Sequence, residues 1–346
     1  MSFTLPPGGA ATVPPEHRGL ARDNVRLLVA AGRTVSHLQF RDVIDVVSPG
    51  DLIVVNTSGT LPAALDAERR DQAPCTVHVA TELDDGSWAV EVRAPGNTGP
   101  ATDVRPGESI SVSGGVRLRV AQSYPVAGVG GSRLWLVKPG TTVGLRRYLA
   151  AHGRPIRYGY LTAAASLSEL QNVYAGEPGS AEMASAGRPF SERLLVRLVS
   201  RGVTVAPLRL DSGVSSPENH EPPTAERYWV PEATADLVNL ARNRGRRVVA
   251  VGTTVTRALE TVATPDGRVL AGSGWTDLVL GPRRPARVVT GLVSGLHDPE
   301  ASHLMLLEAV AGRDLVERAY AEAVSQHYLW HEFGDSMLFL PDLHES

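Results

Sequence analysis

Five short runs decide the fold: TVHVA (76–80), WAVEVR (88–93), SISVS (109–113), VRLRVA (116–121) and LWLV (134–137). Apolar and polar residues alternate along most of them, which is the period of a half-buried β-strand. Glycine, proline, asparagine and aspartate separate them, and no helical period of useful length interrupts residues 60–138. The pattern predicts a small antiparallel β-barrel or sandwich.

A different pattern stands on either side of this block. DLIVV (51–55) follows Pro49-Gly50 and predicts a buried strand after a turn. From about residue 145 onward, helical and strand patterns alternate. The predicted helices are 191–202, 232–245, 255–263, one that begins at the cap sequence Asp298-Pro299-Glu300, and 314–326. The predicted strands are 203–208, 247–251, 288–293 and 336–340. The fold class is therefore α/β, a discontinuous α/β domain (1–59 and 145–346) with a small inserted antiparallel β-barrel (60–144).

The composition is that of an ordinary soluble protein, with 42% hydrophobic and 21% charged residues among 346. No window approaches 18 consecutive apolar residues, so we expect no membrane span. The N-terminus lacks the features of a signal peptide, and its proline, glycine and alanine content predicts a flexible leader of about 15 residues. Cys75 is the only cysteine. This favours a reducing, cytoplasmic location without disulfides.

The charge balance argues against a protein that grips nucleic acid mainly by its phosphates. The formal net charge is −3, and Lys138 is the only lysine. Local basic patches would therefore be arginine patches, although charged residues mostly lie on solvated surfaces. The candidate groups are Arg146, Arg147, Arg154 and Arg157; Arg244, Arg246 and Arg247; and Arg283, Arg284 and Arg287.

Four places along the chain have the residue types that bind ligands or move protons. The run VAVGTTVTR (249–257) predicts a strand, a glycine turn and a hydroxyl-rich helix start, where free N–H groups bind anions. A glycine needed only for packing gives the same pattern. His297 stands between a strand end and a helix start, as a general acid/base would; a structural histidine is the alternative. Glu226 and Asp335 lie in a loop and at a turn, where carboxylates are commonly just solvated.

The histidines do not recur at the spacing of metal ligands, and neither a phosphate-binding GKS/T loop nor a GxGxxG motif after a strand is present. We therefore expect no metal site.

In their order and spacing, seven stretches resemble the S-adenosylmethionine:tRNA ribosyltransferase-isomerases of queuosine biosynthesis, over residues 17 to 341. They are SPGDLIVVN (48–56), RYGYL (157–161), ELQNVYA (169–175), GSAEMASAGRPFSERLL (179–195), RRVVAVGTTVTRALE (246–260), GLHDPEASHLMLLEAVAG (295–312) and FGDSML (333–338). The resemblance implies the same fold class, an α/β domain interrupted by a β-barrel.

The resemblance also implies a reaction and a site. The ribosyl part of S-adenosylmethionine moves onto 7-aminomethyl-7-deazaguanine in tRNA and rearranges, while adenine and methionine leave. Such chemistry needs a base near C5′, an acid near adenine and a pocket for the methionine zwitterion. The matching positions imply catalytic roles for His297, Glu226 and Asp335. They imply substrate binding by Tyr158, Gly213, Thr253, Thr254 and Arg257.

Several polar positions of the family pattern are replaced in this chain. Asn56-Thr57-Ser58-Gly59 stands for Asn-Asp-Thr-Arg, Ala64 for a second arginine and Glu300 for a lysine. Gly187–Phe190, Arg209–Gly213 and Pro223–Glu226 replace segments with histidines. Each lost cation weakens phosphate binding, so we expect weak binding of bulk tRNA with a shallow salt dependence. Three hypotheses stay open: the family enzyme acting on tRNA, an S-adenosylmethionine-dependent enzyme with another acceptor, and a non-catalytic binding protein.

Overall fold

The computed structural model describes residues 3–5, 8–70, 73–128, 132–214, 224–299, 301 and 303–341. The helices are α1 Leu145–His152, α2 Glu192–Ser200, α3 Glu232–Asn243, α4 Thr253–Thr261, α5 His303–Ala311 and α6 Arg313–Ser325. The strands are β1 Arg26–Ala31, β2 Thr34–Gln39, β3 Leu52–Asn56, β4 Gly59–Thr60, β5 Ala64–Glu68, β6 Pro74–Glu82, β7 Trp88–Arg93, β8 Ser109–Val112, β9 Val116–Tyr124, β10 Leu134–Pro139, β11 Pro178–Ser180, β12 Thr204–Asp211, β13 Glu226–Val230, β14 Val248–Val251, β15 Gly272–Thr276, β16 Gly291–Gly295 and β17 Ser336–Leu340.

A nine-stranded sheet with the order β15-β13-β12-β3-β14-β16-β17-β1-β2 forms the α/β part. Its four central strands, β12, β3, β14 and β16, run parallel. Both faces of β3 are buried: Leu52 and Val54 pack into one apolar cluster, and Ile53 and Val55 into another. A continuous apolar run such as DLIVV is expected for a strand that is covered on both faces.

The alternating block folds as a closed antiparallel barrel with the strand order β10-β7-β6-β5-β8-β9. This confirms the predicted fold class and selects the barrel over the sandwich. The barrel lies in the chain between β3 and β12, which are paired neighbours in the large sheet. Helix α1 packs into the barrel core through Leu145, Tyr148 and Leu149. The domain boundaries at 60 and 144 stay a prediction.

Three local predictions were wrong. The strand predicted at 288–293 begins only at Gly291, because the N–H groups of Val288 and Val289 bind the buried carboxylate of Glu260, at 2.8 and 3.1 Å. No helix begins at Asp298: the Ala301 N–H donates a hydrogen bond to the Asp298 carbonyl at 3.0 Å, and α5 begins at His303. Glu300 lies outside the described residues.

The third wrong prediction was that the N-terminal segment is a flexible leader. Ala11 is 2% exposed and donates its N–H to the Trp330 carbonyl at 3.1 Å. The Trp330 N–H donates to the Gly9 carbonyl at 2.8 Å, and Phe3 stacks on the Trp330 ring with 5.4 Å between ring centres. The described part of this segment is therefore packed on the domain, because it supplies apolar and backbone partners to a buried tryptophan.

Candidate functional site

The site lies at one edge of the large sheet, where the carboxyl ends of the four parallel strands meet. Ligands in open α/β sheets gather at this edge. Two antiparallel neighbours begin at the same edge: β13 pairs Arg227 with Asp211 at the end of β12, and β17 pairs Ser336 with Gly295 at the end of β16. Loops after the parallel strands and segments before the antiparallel ones therefore converge, which brings Gly213, Glu226, Thr253, His297 and Asp335 to one edge.

A glycine turn joins β14 to α4. Gly252 has a φ of 92°, which favours glycine, and donates its N–H to the Val293 carbonyl at 2.8 Å. Asn56 ties the turn to the sheet: its amide exchanges hydrogen bonds with the Leu210 backbone at 2.8 and 3.0 Å and donates to the Thr254 hydroxyl at 3.3 Å. The turn is thus fixed in place and presents the first N–H groups of α4, as an anion site requires.

Glu226 and Arg257 form a largely buried ion pair beside this turn. Glu226 also accepts the N–H of Gly213 at 3.1 Å. Burial raises the pKa of Glu226, and Arg257 opposes the rise. The Arg257 guanidinium donates further hydrogen bonds to the carbonyls of Leu278 (3.1 Å) and Thr276 (3.0 Å). Arg257 therefore holds Glu226 in one orientation; its predicted contact with substrate stays a prediction.

His297 is held by two contacts. Its Nε2 lies 2.9 Å from the Ser294 hydroxyl, and its backbone N–H donates to the Tyr320 hydroxyl at 3.2 Å. Its ring stacks on His303, with 4.5 Å between ring centres and 10° between planes. Burial holds the pKa of His297 well below its usual range, and the charges of His303 and His331 lower it further. The imidazole is therefore neutral at pH 7 and able to accept a proton.

Tyr158 begins a row of stacked rings. Its ring lies 5.8 Å from that of Tyr160, which lies 4.3 Å from His331 with only 14° between the planes. Burial raises the pKa of the Tyr158 hydroxyl, and the charges of Glu182 and Glu332 raise it further. The three rings therefore pack on one another as one aromatic row.

Asp335 makes structural contacts with both carboxylate oxygens. Oδ1 accepts the Arg26 N–H at 2.9 Å, and Oδ2 accepts the Arg26 guanidinium at 3.0 Å and the Leu329 N–H at 2.8 Å. The side chain is thus occupied in joining the start of β1 to the start of β17. We therefore propose a structural role for Asp335, and its catalytic role stays a prediction.

We expect Asp335→Asn to lower the free energy of unfolding by about 2–3 kcal/mol, because an amide cannot accept all three hydrogen bonds. We expect kcat per folded molecule to change less than about twofold. A tenfold change would correspond to about 1.4 kcal/mol in activation free energy. Urea unfolding and turnover, measured on the same preparation, check both values. A catalytic role would instead reduce kcat in protein that is fully folded.

Two arginines stand where the family pattern has other residues, and both form ion pairs within the protein. Arg188 pairs with Glu16 through two hydrogen bonds of 3.0 Å. Arg209 pairs with Asp211 through two of 2.8 Å, and Asp211 also accepts the Ser58 hydroxyl at 2.6 Å. These positions supply structural ion pairs in this chain.

Sequence reasoning missed His303, His331, Tyr160 and Glu332. Tyr160 and His303 lie inside two of the stretches that resemble the family, RYGYL (157–161) and GLHDPEASHLMLLEAVAG (295–312), and His331 and Glu332 directly precede a third, FGDSML (333–338). The sequence did not single them out as site residues, because only the fold brings them near His297 and Tyr158. Within the described ranges, no group of three or more His, Cys, Asp or Glu residues is arranged to hold a metal ion. None of the described helices is long and apolar enough to cross a membrane.

Comparison with known proteins gives concordant matches over most of the chain. A family model described as "Queuosine biosynthesis protein" matches residues 1–339. The S-adenosylmethionine:tRNA ribosyltransferase-isomerase of Moorella thermoacetica is 37% identical over 98% of both chains. That of Symbiobacterium thermophilum is 38% identical over 92% of this chain and 94% of its own. A crystal structure of S-adenosylmethionine tRNA ribosyltransferase from Thermotoga maritima covers 98% of this chain and 99% of its own, with 30% identity and a TM-score of 0.54.

Proposed function

Because the chain belongs to the queuosine biosynthesis protein family, we propose that it is an S-adenosylmethionine:tRNA ribosyltransferase-isomerase. It would transfer and isomerise the ribosyl moiety of S-adenosylmethionine onto 7-aminomethyl-7-deazaguanine in tRNA, with release of adenine and methionine. The observation that carries the proposal is the 37% identity over 98% of both chains with a relative of that name. S-adenosylmethionine is a substrate in this reaction, and no metal is invoked.

The first chemical step needs a base at C5′, whose protons the adjacent sulfonium acidifies. His297 suits this role because burial keeps it neutral, and because the Ser294 hydroxyl and the stack on His303 fix its ring. A neutral imidazole takes the proton, and the sulfur later leaves as a neutral thioether, so the positive charge passes from substrate to protein.

Departure of adenine needs a proton donor. Glu226 suits it because its pKa is raised by burial, and because Arg257 and the Gly213 N–H set its direction. A carboxyl with a raised pKa holds its proton closer to neutral pH than an exposed one does. We therefore assign protonated Glu226 as the acid, and Arg257 stabilises the carboxylate that remains once the proton has been donated.

The methionine part fits the start of α4. Its carboxylate would accept N–H groups at Thr253 and Thr254, where the helix dipole is positive. Tyr158 would supply a ring face to the substrate. Gly213 shapes the same edge, since it donates its N–H to Glu226.

For the acceptor substrate, a specific observation favours a second candidate. Ala64 is fully buried in the barrel, and a side chain at Gly59 would meet the Gly176 carbonyl at 3.2 Å. Neither position can carry a cation toward phosphate, which favours a small-molecule acceptor as the second candidate. We place the protein in the cytoplasm, where tRNA is modified and where the single cysteine, Cys75, stays reduced.

Adenine release tests the function. The protein is incubated with S-adenosylmethionine and tRNA carrying 7-aminomethyl-7-deazaguanine, and adenine and the modified nucleoside are quantified by chromatography. We expect both products in equal amounts, and neither with tRNA that carries guanine at that position. Adenine release with the free base but not with the tRNA would favour the small-molecule acceptor. If adenine is released with neither the tRNA nor the free base, the proposed enzymatic activity is contradicted.

A further inference from the structure

The barrel contacts the segment after β12 from which Glu226 receives a hydrogen bond. The Gly213 N–H donates to Oε1 of Glu226 at 3.1 Å. Gly213 lies against the barrel, because a Cβ built on it would stand 3.7 Å from the Cβ of Ala80 in β6. The next side chain, Val214, is 8% exposed and packs into the apolar core of the barrel. The barrel therefore helps to place the N–H that binds Glu226.

Arg133, which directly precedes β10, binds the backbone of the same segment. Its Nη2 donates to the Val214 carbonyl at 3.4 Å, and its Nη1 donates to Oε2 of Glu91 in β7. The side chains of Arg133 and Glu91 are only 5% and 1% exposed. A planar guanidinium that binds two partners through different nitrogens is held in one orientation. Glu91 therefore fixes Arg133, and Arg133 fixes the Val214 carbonyl.

A second contact from the barrel lies on the other side of Glu226. Asp84, in the turn between β6 and β7, accepts hydrogen bonds from the guanidinium of Arg227 and from the indole of Trp275, the latter at 3.0 Å. Arg227 directly follows Glu226 and is paired with Trp275 between β13 and β15. The barrel thus holds both the residue that donates to Glu226 and the strand that carries it.

The proposed chemistry gives these contacts a function. An acid must point its proton at one atom of the departing base, and a displacement of about 1 Å can lower a rate about 10²-fold. Oε1 of Glu226 accepts the Gly213 N–H, while Oε2 accepts the Arg257 guanidinium. We propose that the barrel positions the acid Glu226, with Arg133 and Asp84 as positioning residues, an inference that rests on the proposed function.

Arg133→Lys tests the first contact. Lysine keeps a positive charge beside Glu91 but lacks the planar fork that also binds the Val214 carbonyl. We expect kcat for adenine release to fall about three- to tenfold, which is what one hydrogen bond contributes. KM for S-adenosylmethionine should change less than about twofold, because the acid acts on the bond-breaking step. Urea unfolding of the same preparation shows that the variant is folded.

Arg93→Lys is the matched control for Arg133→Lys. Arg93 binds the other carboxylate oxygen of Glu91, and its further contacts in the described part of the chain are with Asn97. The substitution therefore perturbs the same buried carboxylate without touching the Val214 carbonyl. We expect kcat and KM to stay within about twofold of the wild-type values.

A double-mutant cycle shows whether Arg133 acts through Glu226. Glu226→Gln alone should lower kcat about 10²-fold or more, as loss of a positioned acid does. Adding Arg133→Lys to it should lower kcat by less than about a further twofold, because residues that act through one another are not additive. A purely structural role would give the same factor in both backgrounds.

Asp84→Ala removes the second contact and carries the test if Arg133→Lys does not fold, since the Asp84 side chain is 63% exposed. We expect kcat to fall about two- to fivefold, the most that an exposed ion pair contributes. Asp66→Ala is its control: Asp66 is also an exposed carboxylate of the barrel, and it pairs with Arg154 after α1 at 2.9 Å. Its replacement should leave kcat unchanged.

Wild-type kcat in folded Arg133→Lys and in Asp84→Ala would overturn the inference, and so would equal factors in the wild-type and Glu226→Gln backgrounds. If the wild-type protein releases adenine while either result is found, only this inference fails. If the wild-type protein releases no adenine with either acceptor, the proposed function fails, and the positioning of an acid fails with it.

Discussion

His297→Ala is expected to lower kcat for adenine release by about 10²–10⁴-fold, the range that a positioned general base contributes. The expectation rests on a neutral imidazole that the Ser294 hydroxyl and the His303 ring hold at the carboxyl end of β16. KM for S-adenosylmethionine should change little, since the base acts on the bond-breaking step. Single-turnover measurement of adenine release checks the chemical step directly.

His37→Ala is the matched control for His297. His37 lies on edge strand β2 and contacts Tyr328 and Glu322, far along the sheet order from the candidate site. Its replacement should leave kcat within about twofold of the wild-type value. A tenfold change would correspond to about 1.4 kcal/mol in activation free energy. A kcat for His297→Ala within tenfold of the wild-type value would remove His297 from the base role.

The pH dependence of kcat gives a second test of the same residue. Protonation would inactivate His297, and its folded pKa lies well below 6.5 because of burial. The acid side of the kcat profile should therefore fall only below the pH at which an exposed histidine titrates, about 6.5. A fall centred at or above that pH and lost in the His297 variant would contradict the neutral imidazole.

Much of the fold could be predicted because apolar residues recur along the chain with the period of the local secondary structure. Alternation over residues 60–138 predicted an antiparallel barrel or sandwich, of which the structure shows the barrel, and the apolar run of β3 predicted a buried strand. The start of β16 could not be predicted, because Glu260 on a distant helix binds the N–H groups that would extend that strand. A long-range hydrogen bond leaves no mark in the local sequence.

The candidate site divides in the same way. The glycine turn at 252–254 and the position of His297 could be predicted, since strand ends followed by helix starts have a recognisable sequence. The His297–His303 stack and the Tyr160–His331 stack could not, because each depends on side chains that meet only after folding. Spacing along the chain does not show which side chains share a buried volume.

Arg257→Ala should have the largest effect on stability. It leaves the buried carboxylate of Glu226 without its cation and leaves the carbonyls of Thr276 and Leu278 without donors. Breaking a buried ion pair from one side costs about 3–5 kcal/mol in the free energy of unfolding. Calorimetric titration should also show binding of S-adenosylmethionine weakened at least a few-fold, since the direction of Glu226 is lost.

The control for Arg257 is Arg313→Ala. Arg313 forms an exposed pair with Glu317 four residues later in α6, at 2.8 Å. Exposed helix pairs contribute about 0.3–0.5 kcal/mol. Urea unfolding of both variants under the same conditions separates the effect of burial from that of removing an arginine.

The stability lost in Arg257→Ala should depend on pH, and the sign follows from Glu226. Burial already raises its pKa, and loss of Arg257 removes the opposing effect, so the folded variant binds its proton more tightly than the unfolded chain. Stability therefore falls as pH rises from the unfolded value, about 4.3, through the folded one. We expect a smaller deficit relative to wild type at pH 5 than at pH 8. A deficit that is the same at both values, or below about 1 kcal/mol, would show that Glu226 does not depend on Arg257 for its charge.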